Sequence, residues 1–559
     1  IGTFAGGSGS DDLVITLNAN ATPAAVQALV RNLTYANSNV TDPSTSSRTM
    51  RVTVNDGDGG TSSNADIAVS VTGVNDAPTL SATGGTPTYT ENDAAADLFS
   101  GVSISTIEAG QTITGLTLTV SNLADGASEI FSVDGTDITL TNGTSGTTTG
   151  GNAIDYSVSV TGSTATVTLS VAGGLSSAAA QTVIDGMGYR NASEAPDTTS
   201  RVVTLTSITD SGGTGNAGVD TTAVSIAATV AVTSVNDAPV ITAPGSIGVT
   251  EDVASALTGI SFADVDASSG TVTATLSVGS GSLAATSGGS VTVAGSGTAS
   301  LTLTGTTADI NAFIAASGVS FTTAANATGD VTLTVGIDDG GNTGTDPGNS
   351  GTGSSEADST TVTLSVTALN DAPVVSVPAN IGVTEDVASA ITGISFSDVD
   401  AGGSSVTATL SIASGALAAT SGGGVTVGGT SSALTLTGTV ANINTFIAGS
   451  NLTFTTAANA TADVTLTVAI DDGGNTGSGG AQTDSDTTTL RVSAVNDAPV
   501  VTAPISINID EDVSTALTGI SFADVDAGSG SVTASFSVGL GYPECYQRFR
   551  SGRGRFGHW

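Results

Sequence analysis

Four copies of one short polar joint place side-chain oxygens at intervals along the chain. They read Val74-Asn75-Asp76-Ala77-Pro78, Val235-Asn236-Asp237-Ala238-Pro239, Leu369-Asn370-Asp371-Ala372-Pro373 and Val495-Asn496-Asp497-Ala498-Pro499. Proline fixes its own φ and pushes the residue before it toward extended backbone, so each joint is stiff and extended. Each copy closes an alternating strand such as Val362-Thr363-Leu364-Ser365-Val366, and after three of them a new apolar strand soon opens. Asn and Asp therefore stand at seams between folded units. A stiff seam carrying oxygen ligands has the chemistry of a metal-clamped linker.

The elements that position these seams are strands. Val272-Thr273-Ala274-Thr275-Leu276-Ser277-Val278 alternates with period two, as do Leu301-Thr302-Leu303 and Val331-Thr332-Leu333-Thr334-Val335. One face meets a core and the Thr/Ser face meets water. Gly/Ser clusters such as Ser287-Gly288-Gly289 punctuate them. About seven short strands per repeat imply an all-β chain of tandem β-sandwiches. One helical stripe recurs: Ile310, Phe313 and Ile314 follow Thr306-Thr307-Ala308-Asp309, and Ile443, Phe446 and Ile447 repeat it. Val26, Leu29 and Val30, then Val183 with Met187, do the same in the first two repeats. The stripe is expected to cover the open end of the sandwich; docking of a partner is the alternative.

The joints divide the chain into a partial repeat 1–76, complete repeats 77–237, 238–371 and 372–497, a partial repeat 498–541 and an atypical tail 542–559. Spacings of this size suit whole domains in tandem rather than a solenoid. The two partial repeats are not expected to complete a core, and their unpaired edges invite aggregation. Ile1 falls inside a repeat, so the chain reads as a fragment of something longer, and missing targeting signals say nothing about location.

Composition narrows the function. The formal charge is −40 and no lysine occurs, which repels nucleic acid and anionic membrane and attracts cations. Apolar residues at 38% in regular alternation argue against disorder. No apolar run is long enough to span a bilayer. The single cysteine, Cys545, excludes a disulfide framework, and the single histidine, His558, excludes a Ser-His or Cys-His pair inside any repeat. Carboxylate pairs can do glycosidase work, but acids recurring once per repeat suit a structural ion better, and no Gly-Lys phosphate loop can exist without lysine. The chain is not expected to be an enzyme.

The landmarks between joints also repeat. Thr250-Glu251-Asp252-Val253 matches Thr384-Glu385-Asp386-Val387; Ile260 to Asp266 matches Ile394 to Asp400; Ile337-Asp338-Asp339-Gly340-Gly341 matches Ile470-Asp471-Asp472-Gly473-Gly474. Together these motifs resemble those of the cadherins, in their order: a first-strand Glu, an Asp-x-Asp loop, Ala-x-Asp-x-Gly as in Ala469-Ile470-Asp471-Asp472-Gly473, and an Asn-Asp linker before Ala-Pro. The lysine-free, Thr/Gly-rich style resembles the cadherin-like repeats of giant bacterial surface adhesins more than animal cadherins.

The resemblance implies Ig/cadherin-like sandwiches in a linear array with calcium at the joints. The ligands it implies are Asp56, Asn75, Asp76, Asp210, Asn236, Asp237, Glu251, Asp264, Asp266, Asp338, Asn370, Asp371, Glu385, Asp398, Asp400, Asp471, Asn496, Asp497, Asp524 and Asp526. Calcium takes six to eight oxygens in flexible geometry, and ligands drawn from two domains make binding depend on the angle between them. The bland alternative is that Asp-Gly and Asn-Asp merely make turns. The pattern also departs from the family. Ser234, Thr367 and Ser493 replace the first linker Asp, no Leu-Asp-Arg-Glu motif occurs, and the second repeat carries Thr106-Ile107-Glu108 at the Asp-x-Asp position. Fewer ions per joint are expected, with the first joint weakest.

The resemblance implies the stalk of a secreted or cell-surface, outer-membrane-anchored adhesin. Its partners would be calcium, neighbouring repeats and cell-surface or glycan ligands, with no nucleic acid and no membrane span. The alternative is a carbohydrate- or ice-binding module using Thr faces such as Thr271, Thr273 and Thr275; the simpler account is that Thr is a soluble β-former. Gly6 to Val14 fits one glycine-rich calcium β-roll nonapeptide, but a β-roll needs consecutive copies, so a hairpin turn is expected there. After Gly541 the composition breaks: Tyr542 to Trp559 holds the only Cys, His and Trp, and Arg548, Arg550, Arg553 and Arg555. Back-translating Gly541 to Trp559 one nucleotide later permits a string parallel to Gly279 onward. The tail is therefore expected to be a frameshifted, disordered end without function.

Overall fold

The structure is a computed structural model that describes residues 1–341, 344, 355–474 and 476–539. The tail 542–559 lies outside the described residues. The protein is a set of tandem β-sandwiches. By contact density it divides into two units, residues 1–247, 256–321 and 332–363 in one and 248–255, 322–331 and 364–559 in the other. Among the described residues, no helix is long and apolar enough to cross a membrane.

In the first unit, the second repeat shows how alternation builds a layer. Strand Ile113–Ser121 buries Leu116, Leu118 and Val120 and turns Thr117 and Thr119 away. It sits inside a seven-stranded sheet ordered Ser145–Thr147, Asp155–Thr161, Thr164–Leu175, Ile113–Ser121, Arg201–Asp210, Thr221–Thr233, Thr88–Thr90. Four further strands, Thr136–Thr139, Glu129–Val133, Gly188–Asn191 and Ala96–Asp97, form the other sheet. Leu118, Val167, Val203 and Leu205 from the larger sheet share a fully buried core with Phe131, Ile138 and Tyr189 from the smaller. Burial of each such side chain contributes about 1.5–3 kcal/mol. The same unit holds the hub of the third repeat, where Val272–Val278 pairs with Ser300–Gly305 on one side and with residues 333–338 on the other.

The helical stripes lie where the pattern places them. Ser177–Asp185 buries Val183 and Ile184, Thr307–Ala315 buries Ile310 and Ile314, and Val440–Ala448 buries Ile443, Phe446 and Ile447. Each is capped by a hydroxyl, Ser176, Thr306 or Thr439, accepting from the backbone N–H three residues on. Such a stripe is core, not a free docking face. The stripe of the first repeat differs: helix Pro23–Arg31 has no buried residue. None of residues 1–77 or 498–539 is buried, so neither end repeat forms a closed core. Residues 6–13 turn the hairpin that pairs Gly2–Ala5 with Val14–Leu17.

In the second unit, the fourth repeat has a six-stranded sheet ordered Asn380–Thr384, Thr483–Ser493, Val464–Asp471, Val406–Ile412, Ala433–Gly438, Thr426–Thr430. A three-stranded layer of Ser389–Ala390, Leu452–Thr455 and Ala416–Ala419 accompanies it, and Leu410, Leu436, Ile443, Phe454 and Val468 fill the core.

One pairing matters most for the seams. The second strand of a repeat, here called its opening strand because it starts the main sheet, runs parallel to the closing strand: Thr88–Thr90 pairs with Ala231–Thr233, and Asn380–Thr384 with Thr489–Ser493. Parallel pairing carries the residue after the opening strand to the point where the chain leaves the repeat.

Candidate metal centre

That residue is a glutamate in every complete repeat. Glu91 N donates to Thr233 O at 2.9 Å, and Glu91 Oε2 accepts from Val235 N at 2.9 Å. Glu251 does the same with Thr367 O and Leu369 N, both at 3.0 Å. Glu385 does it with Ser493 O at 3.0 Å and Val495 N at 3.2 Å. These glutamates are 3%, 0% and 1% exposed. In each, Oε1 is buried with no hydrogen-bond partner. An unsatisfied buried carboxylate oxygen costs several kcal/mol unless a counter-charge meets it.

The linker aspartate meets this glutamate from outside the repeat. Asp237 N donates to Asp266 Oδ2 and Asp371 N to Asp400 Oδ2, each at 2.5 Å, and Asp497 N donates to Asp526 Oδ2. The second acid of each Asp-x-Asp loop thus holds the linker backbone. The first acid folds the loop itself: Asp264 Oδ1 accepts from Asp266 N at 3.0 Å and Ala267 N at 2.8 Å, and Asp398 and Asp524 repeat the turn. Asp264 Oδ2 and Asp398 Oδ2 are left buried without a partner, as are Asp237 Oδ2, Asp371 Oδ2 and Asp497 Oδ2.

A third carboxylate completes each group. Glu91, Glu194 and Asp237 each bring an oxygen within 4.8 Å of the others, as do Glu251, Asp252 and Asp371, and Glu385, Asp386 and Asp497. Asp252 and Asp386 follow their glutamate at φ +55°, a left-handed turn that Asp and Asn tolerate. Asp252 is held by Asn326 N at 3.1 Å and Asp386 by Asn459 N at 3.1 Å. In the second repeat the pair is exchanged. Asn92 occupies the turn at φ +65°, and Glu194 comes from the loop, 3.3 Å from Asn92 Nδ2. That loop is braced by Asn191, whose carbonyl accepts from Tyr89 Oη and whose Nδ2 donates to Asp125 at 2.6 Å. Asp125 pairs in turn with the fully buried Arg201 at 2.8 Å, which also holds the buried Glu129.

The linker asparagine locks the seam to the following repeat. Asn236 Nδ2 donates to Asp339 Oδ2 and Asn370 Nδ2 to Asp472 Oδ2, each at 2.5 Å, while Asn75 Nδ2 donates to Asp210 Oδ1 at 3.1 Å. The backbone approach is close: a Cβ on Gly477 would lie 2.7 Å from Asn370 N. Asn496 reaches only Asp497 O, at 3.1 Å, among the described residues.

The electrostatics follow from crowding like charges in a dry seam. Burial, reinforced by Asp237, Asp266 and Glu194, pushes the Glu91 carboxyl up to about 7. Burial, with Asp237, Asp264 and Asp339, pushes Asp266 up to about 6. Asp237, Asp264 and Asp371 are raised as well, chiefly by burial and then by neighbouring carboxylates. An all-oxygen donor set, rich in carboxylates and partly built from loops, fits a hard cation such as calcium rather than zinc or copper. A cleft lined by Asn326, Asp371, Ser397 and Asp398 opens this seam to solvent.

Not every residue expected from sequence is brought here. Asp338 and Asp471 lie one residue short of the seam. Asp338 Oδ1 accepts from Gly340 N at 2.9 Å and Asp471 Oδ1 from Gly473 N at 2.8 Å, and the buried positions belong to Asp339 and Asp472. The strand reason is alternation: Ile337 and Ile470 face the core, so the next residue faces out and the one after turns inward. Asp56 is exposed and turns its own loop, accepting from Asp58 N at 3.0 Å and Gly60 N at 2.9 Å, both of which hold its carboxyl below the usual range. Asp76 donates its N–H to Glu108 Oε1 at 2.8 Å, so Glu108 takes the part of the second loop acid. Sequence reasoning passed over Glu91, Glu194, Asp252, Asp386, Asp339 and Asp472. The register Ile208-Thr209-Asp210 against Ile337-Asp338-Asp339 identifies the inward acid, and Thr90-Glu91-Asn92 against Thr250-Glu251-Asp252 identifies the first glutamate.

No protein-family model matches the chain, and no curated protein sequence does. Among solved structures it is similar to mouse cadherin-23 EC22-24, at 14% identity and TM-score 0.28, covering 75% of this chain and 100% of that one. It is also similar to mouse protocadherin-24 EC1-3, at 14% identity and TM-score 0.25, covering 62% and 89%. A third is Drosophila N-cadherin EC1-3, at 13% identity and TM-score 0.15, covering 74% and 98%.

Proposed function

We propose that this chain is a calcium-stiffened extension of a secreted or cell-surface adhesin, mechanical rather than catalytic, of the kind found in bacterial adhesin stalks. The observation that carries the reading is one arrangement met three times. Glu91, Glu251 and Glu385 each leave a buried, unpartnered oxygen facing a linker Asp that does the same. Bound calcium supplies positive charge and a demand for six to eight oxygens. The glutamate belongs to the repeat behind, Asp264 and Asp398 to the repeat ahead, and Asp237 and Asp371 to the linker between. Drawing them together fixes the angle of the joint, and separating them leaves like charges buried. The stiff Ala-Pro that ends each joint limits the remaining freedom.

Small-angle scattering of the chain in calcium and in chelator tests this reading. The expected result is a larger maximum dimension and a narrower distribution in calcium. Superimposable curves in the two buffers overturn it.

A further inference from the structure

We propose that Asp125 is a positioning residue for the joint at Asn236-Asp237: it anchors both ends of the loop that carries Glu194 and so sets that carboxylate against the linker. The inference rests on the calcium reading of this joint.

In the third and fourth repeats the turn acid anchors the loop beside it. Both Asp252 oxygens accept from Asn326 N, at 3.1 and 3.2 Å, and Asp252 N donates to Thr323 Oγ1 at 2.8 Å. Asp386 repeats this with Asn459 N, at 3.1 and 3.3 Å, and with Thr456 Oγ1 at 2.9 Å. One carboxylate thus belongs to the seam group and tethers the loop as well. The second repeat carries Asn92 in that turn, which has no carboxylate to receive the loop backbone. Asn92 meets the loop at Glu194 itself, with Nδ2 3.3 Å from Oε2. Glu194 is exposed, yet one of its oxygens lies within 4.8 Å of Glu91 and Asp237. An exposed side chain on a loop keeps such a place only as well as its backbone is held.

Asp125 supplies that hold from the other side. Ahead of Glu194, Asn191 Nδ2 donates to Asp125 Oδ2 at 2.6 Å. Beyond it, Asp197 N donates to both Asp125 oxygens, at 3.2 and 3.1 Å. Asp125 is fixed in turn: Arg201 Nη2 donates to its Oδ2 at 2.8 Å, and Asp125 N donates to Glu129 Oε1 at 3.3 Å. Glu129 Oε1 also accepts from Arg201 Nε at 3.0 Å, and Arg201 and Glu129 are both 0% exposed. The strand that Arg201 begins starts with Val331 and Val464 in the later repeats. The strand that Glu129 begins pairs with Gly188–Asn191, and its counterpart in the fourth repeat starts with Ala416. Among the described residues, ion pairs to a fully buried arginine therefore occur in the repeat whose turn lacks the Asp. Burying such a group costs desolvation that apolar residues at the same places avoid. Holding the Glu194 loop gives it a use.

Hydrogen–deuterium exchange of the full chain, followed through a calcium titration, tests this. The calcium midpoint for protecting the peptide that spans Asp237 should rise about tenfold in Asp125→Ala, while that of the Asp371 peptide stays within about twofold. Glu194→Gln should raise the Asp237 midpoint about tenfold, and adding Asp125→Ala to it should change that by less than about twofold. Peptides over Leu118 and Val203 report whether the second repeat stays folded. Asn191→Ala, which unties one end of the loop and leaves Arg201 paired, should raise the midpoint about fivefold and decides the matter if Asp125→Ala opens that core. An unchanged midpoint in a folded variant overturns the proposal. So does a loss that adds in full to that of Glu194→Gln, because Asp125 would then act without Glu194. If the parent's Asp237 and Asp371 peptides both ignore calcium, the calcium reading itself falls and the anchor loses its purpose.

Discussion

The second and third repeats build the same carboxylate group from different residues. In the third, the acid sits in the turn as Asp252 and the loop position is the uncharged Asn326, whose backbone N–H donates to Asp252. In the second, the turn supplies the amide, Asn92, and the loop supplies the acid, Glu194. Each exchange alone would change the charge facing the linker Asp; together they leave three carboxylates in place. What persists across the two repeats is the charge around the seam rather than any one side chain. A turn-forming role explains Asp252 by itself, since Asn serves a left-handed turn equally well. It does not explain why Glu194 accompanies Asn92.

The largest effect should come from the central glutamate. Glu251→Gln keeps the Oε acceptor for Leu369 N and removes the charge. The variant should lose the calcium response of its joint, with affinity down about 100-fold, and in chelator it should melt higher than the parent because one buried charge is gone. Calorimetry in both buffers checks both signs. A variant that melts lower in chelator would show that Glu251 is stabilising without a cation.

The exchange itself is tested next. Glu194→Asn should weaken calcium binding at the second joint about tenfold, and adding Asn92→Asp should restore it to within about threefold. Equal losses in the single and double variants would break the equivalence of the two repeats.

A pH profile sharpens the contrast between apo and loaded joints. Folding raises Glu91 to about 7 and Asp266 to about 6, so the folded chain holds these protons more tightly than the unfolded one. In chelator, stability should therefore be highest near the ordinary carboxylate range and fall as pH rises through 6 to 7. In calcium the carboxylates must be ionised, so that fall should disappear and binding should weaken below about pH 7. A chelator profile that instead rises over this window would contradict the buried-charge account.

The smallest effects belong to the acids facing away. Asp471→Asn should alter calcium affinity less than about twofold, whereas Asp472→Asn should cost about fivefold by loosening Asn370. Calcium titrations of the two variants decide which of the adjacent acids serves the seam.

Much of this was legible in the sequence because the third and fourth repeats are near copies. Glu251 and Glu385, the Asp-x-Asp loops and the Asn-Asp-Ala-Pro linkers stand out by repetition alone. Glu91 did not, because the second repeat has drifted and carries Thr90-Glu91-Asn92 without the following Val. Glu194 lies far from Glu91 in sequence, and only the strand pairings bring it back. Asp339 and Asp472 were missed by a single residue, where a strand leaves its sheet and alternation ends. The strands followed from period two, but the parallel pairing of the second strand with the last, which delivers each glutamate to the seam, is long-range and left no local mark.

Calcium bound per chain, measured by equilibrium dialysis at physiological ionic strength, tests the central claim most directly. The account expects saturable binding in the parent that is lost at the three later joints when Glu91, Glu251 and Glu385 are all changed to Gln. Weak, unsaturating uptake that follows net charge and ignores those three substitutions would mean that the acids only gather counterions, and would contradict it.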